Sequence, residues 1–364
     1  YGEEYEKARK ASREFMETIS TDEYGIRMMD GKPDPMPRFH SGSIKADSVM
    51  GAGIPKGRIL EVFGSESSGK TTFCLHAIAE MQKQGEGTLY VDAEHALDPE
   101  YAEDVGVHLD SMAISQPDSG EAALNLTVKA AKSGNYGLII VDSVSALTPQ
   151  AELEGDVGDD HVGLQARMMS QAMRKVRGAA KSNNCTIIFT NQIRKKIGGW
   201  GNPNTTSGGQ ALKFYSSIRL KLSYTGKKED GGEAVGSSIE IYCKKNKTAP
   251  PFRKARTLIT YGVGFNRNWE ILETAIEAGV IEKRGSWYTL IRANEDHARH
   301  WEGIQAGLDP EAEDFEEDIQ DISVGEDEME KTIAQGEAAM LEAMEEDPAL
   351  YEEVMQRALS WYRE

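Results

Sequence analysis

The 364 residues are 39% hydrophobic and 28% charged, enough for one large soluble domain with appendages. No run of about 18 apolar residues occurs, and Tyr1-Gly2-Glu3-Glu4 reads as neither signal nor transit sequence, so the expectation is a cytoplasmic protein with no membrane partner. Cys74, Cys185 and Cys243 are scattered without C-x-x-C spacing, which argues for buried thiols and against disulfide, zinc or redox chemistry. The net charge of −19 argues against a nucleic-acid partner only until its distribution is read. Residues 294–364 carry 23 acids and 4 bases and so hold the whole excess. Between His161 and Lys228 there is no Asp or Glu, yet 13 Lys and Arg, a footprint suited to a polyanion.

In chain order, residues 3–18 place Tyr5, Ala8, Ala11, Phe15 and Met16 at helical intervals, and Pro33, Pro35 and Pro37 then interrupt. Residues 1–41 are therefore expected as a short helix on a linker. From about Gly42 strands and helices alternate. Expected strands are Arg58–Phe63, Thr88–Asp92, Gly137–Asp142, Thr186–Thr190, Ile218–Leu222, Ser238–Cys243 and Arg256–Ile259, with helices over Thr72–Gln82 and Gly120–Ser133. Continuous apolar strands between amphipathic helices predict an α/β core over 42–268, its twisted, mainly parallel sheet covered on both faces. Residues 269–364 read as a small α+β C-terminal domain. Its expected parts are a helix Ile271–Ile281, a strand Trp287–Leu290, helices Lys331–Glu346 and Asp347–Arg363, and an acidic insertion at about 294–330 whose Asp309–Glu330 part is loosely held.

The chemistry concentrates in Gly64-Ser65-Glu66-Ser67-Ser68-Gly69-Lys70-Thr71-Thr72, which fits G-x-x-x-x-G-K-[ST] between a strand and a helix. Glycines let backbone N–H groups wrap the β- and γ-phosphates of a nucleotide, Lys70 adds a point charge and Thr71 offers a hydroxyl to Mg²⁺. A glycine-serine helix cap is the plain alternative, and the flanking strand and helix argue against it. Asp142 ends an apolar strand where a carboxylate would hold Mg²⁺ through water, although alone such an Asp is as often a turn or cap. Glu94, at the end of another strand, is placed either to activate the attacking water or to cap a turn. Ile193–Gly209 is rich in Gly, Asn, Thr and Lys without apolar period, and reads as a binding loop. Trp200 at its tip either stacks on a base or packs on the loop.

These segments, with Val91–Asp98, Val141–Leu147, Arg167–Lys175 and Asn191–Arg194, resemble the bacterial RecA recombinase family in order and spacing from about Ser41 to Leu290. The resemblance implies a RecA-like P-loop NTPase core. It also implies a filament-forming, DNA-dependent ATPase of recombinational repair and the SOS response, which pairs single-stranded DNA with a homologous duplex. Carried over by motif, Glu94 resembles the catalytic carboxylate, Asp98, Tyr101 and Tyr261 the nucleotide neighbours, and Gln192 the γ-phosphate sensor. Lys245 and Lys247 resemble the cations that reach the neighbouring subunit's nucleotide, and Lys213 and Phe214 the subunit interface. Arg167, Ser170, Arg174, Lys196, Ile197, Trp200, Gly208 and Gly209 fall where the family lines its DNA channel, together with the loop at Glu154–Gly163. The N-terminal helix matches in kind, implying a role in oligomerisation. Here Ile197–Pro203 is one residue shorter than the family's loop, and the acidic run is internal rather than terminal. A hexameric helicase or clock-type ATPase shares such a core but does not explain the N-terminal helix with the Arg167–Lys175 run. A DNA-coating protein without turnover does not explain intact Lys70, Thr71, Glu94 and Asp142.

Overall fold

The computed structural model describes residues 2–18, 35–156, 163–195, 204–292 and 330–361, with Arg299 and Gln320. Two compact units divide the chain at Pro37/Arg38. In the first, helix α1 (Glu3–Glu17) is laced by the Glu6–Arg9 and Lys10–Glu14 pairs, while Tyr5 and Phe15 remain exposed.

In the second unit, β1 (Arg38–Phe39) and β2 (Ile54–Pro55) pair antiparallel around α2 (Ile44–Met50), whose first turn is capped by the Ser43 hydroxyl. There follow β3 (Ile59–Gly64), α3 (Lys70–Gln82), β4 (Gly87–Asp92), α4 (Pro99–Asp104), β5 (Met112–Ser115) and α5 (Gly120–Ser133). Next come β6 (Tyr136–Asp142), α6 (Gln150–Leu153), α7 (Leu164–Ser182), β7 (Thr186–Lys195), β8 (Asn204–Thr206) and α8 (Ala211–Tyr215). The core closes with β9 (Ile218–Asp230), β10 (Glu233–Asn246), β11 (Lys254–Thr260) and β12 (Gly264–Phe265).

One large sheet runs β12-β11-β10-β9-β3-β7-β6-β4-β5, with β8 on β7. From β9 to β5 every neighbour is parallel. The reason is legible in the strands. Leu60, Val62, Leu138, Ile140 and Ile188 face one core with Phe73, Leu75, Ile78 and Met81 of α3, whereas Ile139, Val141, Ile187 and Phe189 face a second with Met169, Met173, Val176 and Ala180 of α7. Each such aliphatic side chain contributes about 1.5–3 kcal/mol by leaving water, so strands covered on both faces are mostly apolar. All three thiols are buried and free.

Beyond β9 the sheet, mainly parallel as expected, turns antiparallel. β9 and β10 form one long antiparallel hairpin, β11 and β12 extend it antiparallel, and the strands are far longer than their apolar stretches. The outer part, Tyr224–Val235, is mostly exposed and so lacks a hydrophobic signal. Its turn is Gly231-Gly232 with φ of 56° and 90°, the two-residue geometry whose twist suits a hairpin.

A second small sheet, β13 (Ile281–Arg284), β14 (Trp287–Ile291) and β15 (Glu330–Gln335), packs with α9 (Arg267–Glu277), α10 (Glu337–Glu346) and α11 (Pro348–Trp361) around Ile271, Leu272, Tyr288, Leu290, Met340 and Val354. The single helix expected over Lys331–Glu346 is corrected to a strand and a helix. Pairing of Lys331–Gln335 with β14 outweighs local helical preference, and Gly336, at φ 99°, separates the two. Glu330 belongs to β15; of the expected acidic insertion 294–330, the remainder apart from Arg299 and Gln320 lies outside the described residues. Buried Glu270 of α9 accepts from Ser43 Oγ (2.6 Å), Ile44 N (2.7 Å) and Thr257 Oγ1 (2.5 Å), and buried Lys45 reaches Glu277 at 2.6 Å, so this C-terminal layer is tied to α2 and β11. Among the described residues no helix is long and apolar enough to cross a membrane.

Candidate nucleotide and nucleic-acid site

The phosphate loop bridges the C-terminal end of β3 and the start of α3. Ser67 and Gly69 take positive φ (55° and 85°), which turns the backbone into a cradle. Space at its base is tight: a Cβ on Gly64 would lie 2.4 Å from Leu222 O, and one on Gly69 2.5 Å from Ile259 Cδ1. Gly69 has no side chain to cap α3, so the first-turn N–H groups are left for an anion. The Lys70 ammonium rests 2.7 Å from Ser65 O, and burial holds its pKa below the usual lysine value. A cleft of about 290 Å³ opens from the loop, lined by Ser67–Thr72, Tyr101, Ser237, Ile239, Ile259, Tyr261 and Gly262. Tyr101 OH lies 2.8 Å from Thr72 Oγ1, and Tyr261 OH 2.8 Å from Ser237 Oγ. Asp98 is occupied differently: its carboxylate caps α4 by accepting from Glu100 N and Tyr101 N, so it holds the helix that carries Tyr101.

Asp142, at the end of β6, is buried and accepts from Thr71 Oγ1 (3.0 Å), Tyr90 OH (2.7 Å) and Thr190 Oγ1 (2.5 Å). Burial and the Asp142 charge push the Tyr90 phenol far upward, keeping it a neutral donor. Among the described residues no group of three or more His, Cys, Asp or Glu could hold a metal. A hydroxyl and one carboxylate beside a phosphate cradle suit Mg²⁺, which retains waters and takes remaining ligands from phosphates.

Glu94 follows β4 on a turn fixed by buried Asp92, which accepts from Ala96 N, Leu97 N and Gln116 Nε2. The Glu94 carboxylate meets the Ser143 hydroxyl and, at 3.3 Å, Gln192 Nε2 from β7. Ser143 Oγ is also 2.5 Å from Ser145 Oγ, and the Asp142–Ser143 peptide is cis. Sequence reasoning had no role for Ser143, Tyr90 or Thr190. Only the strand end following Asp142 hinted at Ser143.

The basic residues fall into separate groups. Arg167, Ser170 and Arg174 stand exposed along α7, opposite Met169, Met173 and Val176, with Arg174 Nε 3.3 Å from Ser170 O. The chain returning through β8 lies against the start of α7: Gly208 N donates to Gln165 Oε1 (3.1 Å), and a Cβ on Gly209 would come within 2.8 Å of Ala166 Cβ. Gln165 was not anticipated; its amide also holds the carbonyls of Val144 and Leu147, just past Asp142. Lys196, Ile197 and Trp200 lie outside the described residues, as does 157–162 of the loop expected at Glu154–Gly163. Lys245 Nζ is 2.6 Å from Lys213 O and 3.1 Å from Phe214 O, and Lys247 Nζ 3.2 Å from Phe214 O, so both cations gather at α8, whose Phe214 ring is 71% exposed. Burial, then the Lys247 and Arg219 charges, lower the Lys245 pKa to about 8. A groove of about 430 Å³ beside them is lined by Lys213, Arg219, Lys221, Lys244 and Lys254 among others.

A phosphate loop on a mainly parallel sheet, with a carboxylate and an amide facing each other beside it, defines a P-loop nucleotide hydrolase. Residues 22–266 match the model of the RecA N-terminal domain. The chain is 52% identical to Protein RecA of Pseudomonas putida over 265 residues, which cover 72% of this chain and 75% of that one. In fold it is similar to the RadB recombinase, with a TM-score of 0.50 over 62% of this chain and 98% of that one, at 21% identity. The chain belongs to the RecA family of ATP-hydrolysing DNA recombinases, which act in recombination and repair.

Proposed function

We propose that the chain, with ATP and Mg²⁺ bound, polymerises on single-stranded DNA, pairs it with a homologous duplex and exchanges the strands. The observation that carries this reading is the course of β7. It presents Gln192 to Glu94 and runs on to Lys195, while the chain described again from Asn204 reaches Gly208 against α7. Nucleotide state and DNA contact thus share one strand.

In this reading Glu94 orients and deprotonates the attacking water, with Ser143 and Gln192 holding its carboxylate. Lys70, now resting on the Ser65 carbonyl, would turn to phosphate oxygen, and Thr71 and Asp142 would hold Mg²⁺, which would supply neutralisation of phosphate charge. Tyr101 and Tyr261, both lining the cleft, contact the base, and Asp98 acts by capping the helix that carries Tyr101. Gln192 can donate to a phosphate oxygen and swing as that oxygen departs. Lys245 and Lys247 complete a neighbouring subunit's site, and exposed Phe214 with Lys213 forms the junction. Arg167, Ser170, Arg174, Lys196, Ile197, Trp200, Gly208 and Gly209 contact the first strand through its backbone, giving affinity without sequence preference. The groove around Lys221 and Lys254 suits the backbone of the second partner. The working division is residues 1–41 for docking on the next subunit, 42–268 for catalysis and DNA, and 269–364 as an accessory domain.

The test is displacement of a labelled strand from a duplex by a single strand coated with the protein and ATP. Homologous duplex should lose its strand and heterologous duplex should not. Equal displacement of both would mark a helicase, and displacement of neither would refute pairing.

A further inference from the structure

On β3, in the middle of the sheet, Glu61 is fully buried although its β3 neighbours Ile59, Leu60, Val62 and Phe63 are apolar. Cross-strand register sets it beside Phe189 of β7 and Arg219 of β9, and sets Arg219 opposite Lys245 of β10. Glu61 Oε2 accepts from Arg219 Nε at 2.5 Å, and the Arg219 guanidinium lies 4.7 Å over the Phe63 ring. Its other oxygen accepts from Asn191 Nδ2 at 3.1 Å. That same Asn191 amide donates to Ser207 O (3.1 Å), where the chain returns from β8, and its carbonyl oxygen accepts from Gln192 N (2.9 Å).

We infer that Glu61 is a positioning residue for hydrolysis, fixing Gln192 against Glu94 through Asn191 and setting, through Arg219, the strand that carries Lys245. The inference rests on the reading of Gln192 and Lys245 given above. Stability alone does not account for the charge, because a buried ion pair costs several kcal/mol of desolvation per ion and apolar side chains of similar volume would join these strands as well. What apolar groups cannot do is orient an amide. With both Glu61 oxygens engaged, Asn191 is held with its carbonyl toward Gln192 N and its NH₂ toward Ser207, so the two ends of the 193–206 segment are locked to one side chain. On the other side burial, then the Lys247 and Arg219 charges, depress the Lys245 pKa and Glu61 opposes them, so the Glu61–Arg219 pair, opposite Lys245 in register, lies within electrostatic reach of its ammonium.

The experiment measures kcat and KM for ATP with and without single-stranded DNA, together with ATP binding and thermal unfolding, on full-length Glu61→Gln and Arg219→Lys. Glu61→Gln keeps the shape and one acceptor; Arg219→Lys keeps the charge and loses the Nε–H donor, so it reports even where the first variant fails to fold. Both should bind ATP within about threefold of the parent yet lose about tenfold or more of DNA-stimulated kcat, as expected of a catalytic group displaced by about an ångström. Unchanged DNA-stimulated kcat in either folded variant would overturn the inference, as would a loss that merely tracks ATP binding. Glu94→Gln, measured alongside, separates the two claims. If it retains turnover the proposed function itself fails, and if it alone abolishes turnover only the role of Glu61 falls.

Discussion

Gly69 stands at φ 85° with Ile259 Cδ1 2.5 Å from the position of a would-be Cβ, so the loop's closing turn accepts glycine alone. Gly69→Ala should weaken binding of a fluorescent ATP analogue by about tenfold or more while the fold persists, because strain of about 1–3 kcal/mol falls on the cradle itself. Equilibrium titration with circular dichroism checks both halves. Lys70, Thr71, Asp142 and Glu94 were legible at this scale because each occupies a fixed place relative to a strand end or glycine turn. Ser143, Tyr90 and Thr190 were not, because a hydroxyl's role depends on what a distant strand places opposite it. Asp98 shows the same limit from the other side: its match to a nucleotide position said nothing of its capping bonds to Glu100 and Tyr101.

Helix α3 is tied to β12 by His76, whose Nε2 accepts the Phe265 N–H at 2.8 Å while its ring stacks on Phe265 at 4.9 Å between centroids. Burial lowers its pKa to about 4, against an ordinary 6.5. A depressed pKa means that the neutral ring stabilises the fold fully above pH 6.5 and ceases to as pH falls through about 4, a change of about 3 kcal/mol. Urea unfolding at pH 7 and pH 4.5 should therefore show the stability gap between the parent and His76→Gln narrowing at the lower pH. A constant gap would mean that the ring is not buried neutral. Strand β3 could be read from its alternation, the doubly covered strands β4, β6 and β7 from their apolar runs, and α3 and α5 from their helical pattern. The outer β9–β10 hairpin could not, since an exposed ribbon carries neither signal, and Thr332-Ile333-Ala334 is too short to reveal that β14 would recruit it.

Across the molecule the charge divides, with residues 1–293 neutral overall and all of the excess negative charge in 294–364. Arg167, Arg174 and Lys175 on α7 and Lys244 in the Lys221 groove are exposed to solvent, where phosphates can reach them. We propose that the acidic stretch in the same chain competes with DNA for them, through an interaction screened over a Debye length of about 8–10 Å at moderate salt. Removing 309–329, and sparing Glu330 because it pairs in β15, should speed duplex binding most at low Mg²⁺. Stopped-flow binding of labelled duplex measures this, and an unchanged rate would leave the stretch a role in solubility only. Composition made this division visible, whereas the attachment of the C-terminal layer through Glu270 to Ser43 and Ile44 required the folded chain, because its partners lie over 220 residues apart.

The account turns on hydrolysis at Glu94 being governed by DNA through Gln192. The direct measurement is steady-state ATP hydrolysis with and without single-stranded DNA, for the parent chain and for Glu94→Gln. Stimulation of at least about tenfold by DNA, lost in Glu94→Gln with ATP binding retained, is the predicted result. Turnover indifferent to DNA, or undiminished in Glu94→Gln, would contradict it.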